Sequence, residues 1–156
     1  MAEQRAHNRP VFFGKSGLNR FDAPAGSYRV LYAGRDAFCA FVETFGRSAG
    51  TRIVTAAALR ARSLAELKLR RAARLIDLTQ SGALVRMGAD GNLFTGDHTN
   101  SQAWSKALHR HPLEADGLLY PSRLDPARHA IALFRDQSTI NMSRAGNRRP
   151  AQSSVR

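Results

Sequence analysis

Apolar residues in this chain come in short runs: VFF at 11–13, YRVLYA at 28–33, LIDL at 75–78, LLY at 118–120 and AIALF at 130–134. That brevity is the tightest constraint on the fold. The four runs from YRVLYA onward, three to six residues long and carrying aromatic and β-branched side chains, read as strands. None approaches the ~20 residues that a membrane-crossing helix needs. Helix-like segments lie between the strands without regular βαβ spacing, which predicts an α+β sheet domain. With 156 residues the chain suits one domain with a substantial core.

The clearest local reading is at 28–46. The strand YRVLYA is broken by Gly34, Asp36 can cap a helix over 37–45, and Gly46 ends it. On that helix Phe38, Phe41, Val42 and Phe45 recur at i, i+3, i+4 and i+7, which predicts a core-facing stripe. Glu43 lies roughly 150° around the cylinder from that stripe, at ~100° per residue. Periodicity therefore puts Glu43 towards solvent. The small Ala37, Ala40 and Thr44 beside it would let another element approach and enclose it. Further along, Ser63-x-x-Glu66 reads as a capping box opening a basic helix to about Arg74. A short helix is expected over 83–87, and one capped by Asn100 or Ser101 is expected to run through His109. Residues 1–10 read as a flexible lead-in or the start of a first strand, 11–137 as the domain, and 138–156 as a basic disordered tail.

Charge narrows the partners. The formal net charge is +12, and it is unevenly spread. Between Arg47 and Arg74 eight basic residues face one acid, Glu66, and residues 141–156 add four arginines and no acid. Such a field attracts nucleic acid, acidic proteins or phosphorylated ligands. The arginine-rich segment lacks the interleaved aromatics and the zinc or helix-turn-helix pattern of a specific reader, leaving non-specific nucleic-acid binding. The polar opening MAEQRAHNRP has no secretory apolar region and predicts a cytoplasmic protein. A single cysteine, Cys39, excludes an internal disulfide or a Cys-rich zinc site and reads as a small buried hydrophobe. FGKSG around Lys15 lacks the first glycine of a phosphate loop, and no GxGxxG follows a strand. His109 and His111, at i and i+2, point apart on a helix, so no metal site is expected.

Three blocks carry a more specific signal: RFDAPAGSYRVLYAGRDAFCAFVETFGR, LIDLTQSGALVRMGADGNLFTGDHTNSQAWSKAL, and YPSRLD followed by IALF. In order and spacing they resemble the RES-domain proteins, toxins of bacterial toxin–antitoxin modules named for signature Arg, Glu and Ser residues. The resemblance covers about 11–137. It implies a fold like that of the ADP-ribosyltransferase toxins, with small twisted mixed or antiparallel sheets, flanking helices and a cleft for NAD. It implies Arg20 as the signature arginine, Tyr32 as the strand-end tyrosine, Glu43 as the helix glutamate and Ser122 as the serine of the YxS turn. A further arginine near the start of such domains matches Arg5. The implied activity is NAD depletion by hydrolysis or phosphorolysis, or ADP-ribosylation of a protein. NAD is then a substrate rather than a cofactor, phosphate a possible co-substrate, and a separate antitoxin chain the partner. Glu43 would stabilise the charged ribose, Tyr32 would order the nicotinamide or ribose, Arg20 would hold pyrophosphate, and Ser122 would bind a phosphate or ribose and position Glu43. The competing reading, from a different class, is a basic module that holds nucleic acid or an acidic partner.

Overall fold

The computed structural model describes residues 11–46 and 53–134, together with the backbone of 142–148. It is an α+β structure. In chain order the elements are β1 (Val30–Gly34), α1 (Ala37–Phe45), α2 (Ala56–Arg60), β2 (Leu64–Leu69), β3 (Leu75–Asp77), α3 (Ala83–Met87), α4 (Asn92–Thr95), α5 (His98–His109), β4 (Gly117–Pro121), β5 (His129–Phe134) and β6 (Met142–Arg148). A four-stranded mixed sheet has the order β1-β5-β4-β3. β5 runs antiparallel to both β1 and β4, whereas β3 and β4 are parallel. β2 and β6 form a separate antiparallel pair.

Alternation along the strands buries both faces of the main sheet. Val30, Leu118, Ala132 and Phe134 join Phe21, Tyr28, Leu93 and Leu108 in the principal core, against which Tyr32 and Trp104 pack. Leu31 and Leu133 point the other way and pack with Phe13, with Leu67 of β2 against them. His109 belongs to the principal side: its ring stacks on Tyr28 with centroids 3.9 Å apart.

Several local readings hold. β1, β3, β4 and β5 fall on the four apolar runs after VFF, α3 covers 83–87, and α1 is capped by the Asp36 carboxylate accepting from Cys39 N. Four others differ. Residues 64–69 are a strand, not a capped helix: Ala65 and Leu67 alternate with more exposed neighbours, and β6 supplies hydrogen-bond partners more than seventy residues away. A pattern confined to Ser63–Glu66 contains no trace of that distant pairing. By the same pairing, residues 142–148 of the supposed disordered tail are β6. Helix α5 starts earlier than expected, with Asp97 accepting from Thr99 N and Asn100 N. The carboxylate one turn upstream caps the helix in place of Asn100 or Ser101.

The remaining correction concerns α1. Its aromatic stripe does not face the core: Phe38 is 52% and Phe41 is 41% exposed, while Cys39 is wholly buried. The guanidinium of Arg128 covers Phe38 at 4.7 Å, and Phe41 packs on Phe45. The inward face runs through Cys39, and Glu43 sits one turn further along it.

Candidate active site

Arg20, Tyr32 and Glu43 line one cleft, together with Leu18, Asn19, Phe94, His98, Tyr120, Pro121 and Arg123. Its volume is about 140 Å³. The cleft lies where the turn before β1, the end of β4 and the inner face of α1 converge. A larger depression of about 710 Å³ lies elsewhere, beside Arg71–Arg74, Glu114 and Asp116. There Arg71 and Asp116 neutralise each other through paired contacts of 2.8 and 2.7 Å. The smaller cleft is the better candidate, because its acidic and basic groups are not paired with one another.

Gly34 sets where Glu43 goes. A Cβ there would overlap the backbone nitrogen of Ala40 and lie 2.9 Å from Asp36 O, so only glycine lets α1 turn back this closely against β1. Once α1 is so placed, Glu43 Oε1 accepts a hydrogen bond of 2.6 Å from Ser122 Oγ. Ser122 is 1% exposed, and its oxygen accepts from Leu124 N and Asp125 N at 3.2 Å each. With those amides on the lone pairs, the single hydroxyl proton is directed at the carboxylate. Among the described residues Glu43 makes this one hydrogen bond and no ion pair. A charge-assisted bond holds one oxygen in place and leaves the other for a ligand.

The turn carrying Arg20 is held by a buried carboxylate. Asp22 Oδ2 accepts from Ser16 Oγ, Asn19 N and Asn19 Nδ2 at 2.8–3.2 Å. Asp22 Oδ1 accepts from the Tyr32 hydroxyl at 3.0 Å, and the phenol oxygen in turn accepts from Phe21 N at 3.0 Å. Burial, reinforced by the Asp22 charge, pushes the Tyr32 phenol far above its ordinary value. Tyr32 is therefore a fixed neutral ring, not an acid or base. Its hydroxyl secures the turn while its ring lines the cleft.

Arg20 is anchored as well as available. Its Nη1 donates to Gly96 O at 2.9 Å, Ser101 Oγ at 3.1 Å and Leu93 O at 3.4 Å, tying the turn to α4 and α5. Burial lowers its pKa first, and the nearby Arg123 charge second, but a guanidinium stays charged under such shifts. Arg5 lies outside the described residues.

Five polar contributors are not singled out by the sequence: Asn19, Asp22, His98, Tyr120 and Arg123. Arg123 and Tyr120 flank the chosen serine in YPSR, so their proximity was legible there. His98 had no such signal. Its ring Nδ1 lies 2.9 Å from Leu18 O, a contact eighty residues apart in sequence. A carbonyl can only accept, so Nδ1 is the donor in this contact.

The cleft thus combines a lone oriented carboxylate, a fixed aromatic ring and two guanidiniums, a set suited to an anionic ligand with a sugar that acquires positive charge. The RES-domain family model matches residues 3–150. The chain belongs to the RES-domain family. The match reaches beyond the 11–137 read from the three blocks and takes in β6, the partner of β2. Neither the curated proteins nor the solved structures compared with the chain give a match. RES-domain membership associates the chain with NAD-related toxin function and, in general terms, with an enzyme acting on NAD. Among the described residues, no helix is long and apolar enough to cross a membrane.

Proposed function

We propose that this RES-domain protein is a toxin that depletes NAD by cleaving the bond between nicotinamide and ribose. The observation that carries the reading is the 2.6 Å hydrogen bond from Ser122 to Glu43 within a cleft that also presents Arg20. When the C1′–N bond breaks, its electron pair stays on the ring nitrogen and nicotinamide leaves as a neutral molecule. The sugar becomes oxocarbenium-like, as in glycoside hydrolysis. A carboxylate already oriented beneath it stabilises that charge without reorganising. Tyr32, its hydroxyl fixed on Asp22, supplies a rigid surface that orders the ring or the ribose.

The acceptor then attacks C1′. Water gives ADP-ribose and releases one proton; inorganic phosphate gives the ADP-ribose 1-phosphate ester. The second oxygen of Glu43, which accepts no other hydrogen bond among the described residues, is the atom we assign to take the proton from water. A protein side chain as acceptor would make the enzyme an ADP-ribosyltransferase. We assign the toxin to the cytoplasm, where NAD is abundant, and infer a separate antitoxin chain that silences it by covering the cleft.

The test is incubation of the purified protein with NAD, with and without phosphate, following nicotinamide release and the mass of the sugar product. ADP-ribose in both buffers identifies a glycohydrolase, and a phosphate ester formed only with phosphate identifies a phosphorylase. No nicotinamide release under any condition would overturn the enzymatic reading and leave a basic binding module.

A further inference from the structure

Arg20 gives Nη1 to three protein oxygens, which leaves only Nη2 and Nε to hold a dinucleotide's phosphates. A second guanidinium lines the same cleft. Arg123 is exposed, and among the described residues it makes no hydrogen bond and no ion pair. Two acids are engaged elsewhere: Asp125, two residues on, faces Arg128, and Glu43 in the same cleft takes the Ser122 proton. Arg20 and Arg123 lie close enough to repel each other, which adds to burial in lowering the pKa of Arg20. Two guanidiniums and one carboxylate line the cleft, with Asp97 acting on Arg20 from beside it.

We propose that Arg123 is the free arm of an anion clamp whose fixed arm is Arg20, and that the clamp binds the phosphate groups of a nucleotide ligand. This deepens the NAD reading and, for its catalytic consequence, rests on it. The backbone explains why Arg123 suits the task. It follows Ser122 in a turn held by Ser122 N donating to Arg128 O and by Arg128 N donating to Asp125 O, both at 2.8 Å. One rigid turn therefore carries the group that orients the carboxylate and, at the next residue, the group that grips phosphate. An unpaired guanidinium on a rigid base can close its planar fork on phosphate oxygens without breaking an existing contact. A mere solvated turn arginine would contribute nothing to ligand affinity.

The experiment is calorimetric titration of wild type, Arg123→Ala, Arg123→Lys and Glu43→Gln with ADP-ribose and with inorganic pyrophosphate. It is paired with nicotinamide release from NAD and from nicotinamide riboside, which has no phosphate. Arg123→Ala is expected to weaken both phosphate ligands at least ~10-fold, with Arg123→Lys intermediate, because lysine keeps the charge but loses the fork. Glu43→Gln should keep its pyrophosphate affinity. In turnover, Arg123→Ala should raise KM for NAD at least ~10-fold and leave nicotinamide riboside within about twofold of wild type. Unchanged binding in Arg123→Ala, no binding by wild type, or an equal loss on nicotinamide riboside would each overturn the clamp. Arg123-dependent ADP-ribose binding without any NAD cleavage would uphold the clamp and sink the catalytic reading instead.

Discussion

Glu43 is held by one short bond, and the donor of that bond is itself oriented by two amides. Removing the hydroxyl leaves the carboxylate free to swing and leaves Leu124 N and Asp125 N without their acceptor. Ser122→Ala is therefore expected to lower kcat about tenfold while KM for NAD changes little, since a positioning group acts mainly on the transition state. Steady-state kinetics with NAD measures this, and a loss confined to KM would show that Ser122 binds substrate instead. The same pair shows how far residues could be read from the sequence. Arg20, Tyr32, Glu43 and Ser122 were chosen by their order within family-like blocks, and three of them line the cleft with the fourth bonded to Glu43. Periodicity alone placed Glu43 outside, because four apolar positions outweighed one buried cysteine. His98 was invisible, since its place depends on the contact with Leu18.

At the scale of elements, the turn from β1 into α1 decides whether the carboxylate reaches the cleft. Gly34→Ala forces a methyl into the Ala40 backbone, and overpacking of this kind costs about 1–3 kcal/mol. The expected outcome is a lower Tm together with reduced turnover per folded molecule, read by thermal denaturation beside nicotinamide release. A second junction ties the start of β4 to the segment before β3. Asp116 accepts from both Arg71 nitrogens and from Arg74 N at 2.8 Å, and the Arg71 hydrogen bonds hold its carboxyl below the usual carboxylate range. A depressed folded pKa means the stabilisation is complete above the unfolded value of about 3.9 and fades as pH falls through the folded value. Asp116→Asn should thus lower Tm at pH 7, with the gap to wild type closing below about pH 4. A gap that persisted at lower pH would assign the effect to packing. Elements with strong local signals, such as the Asp36-capped α1, were legible in the sequence. β2 was not, because its identity rests on β6, and the bulge at Glu66/Leu67 further blurs its alternation.

For the whole molecule, a charge of +12 and the two guanidiniums lining the cleft act in the same sense. On the proposed reading, long-range attraction draws an anionic dinucleotide in, and the two guanidiniums receive it. The fold's contribution is to assemble a site from three distant points of the chain: the turn at Arg20, the helix at Glu43 and the turn at Ser122. Each group by itself has an ordinary structural explanation as a turn, helix or strand-end residue. Only together do they suit the proposed cleavage of a glycosidic bond next to phosphates. The most direct measurement is the rate of nicotinamide release from saturating NAD by wild type and by Glu43→Gln, which keeps the size of the side chain and removes its charge. A fall of at least ~100-fold, or about 2.7 kcal/mol of transition-state stabilisation, is expected. Equal rates in the two proteins would contradict the role of this carboxylate in the chemistry.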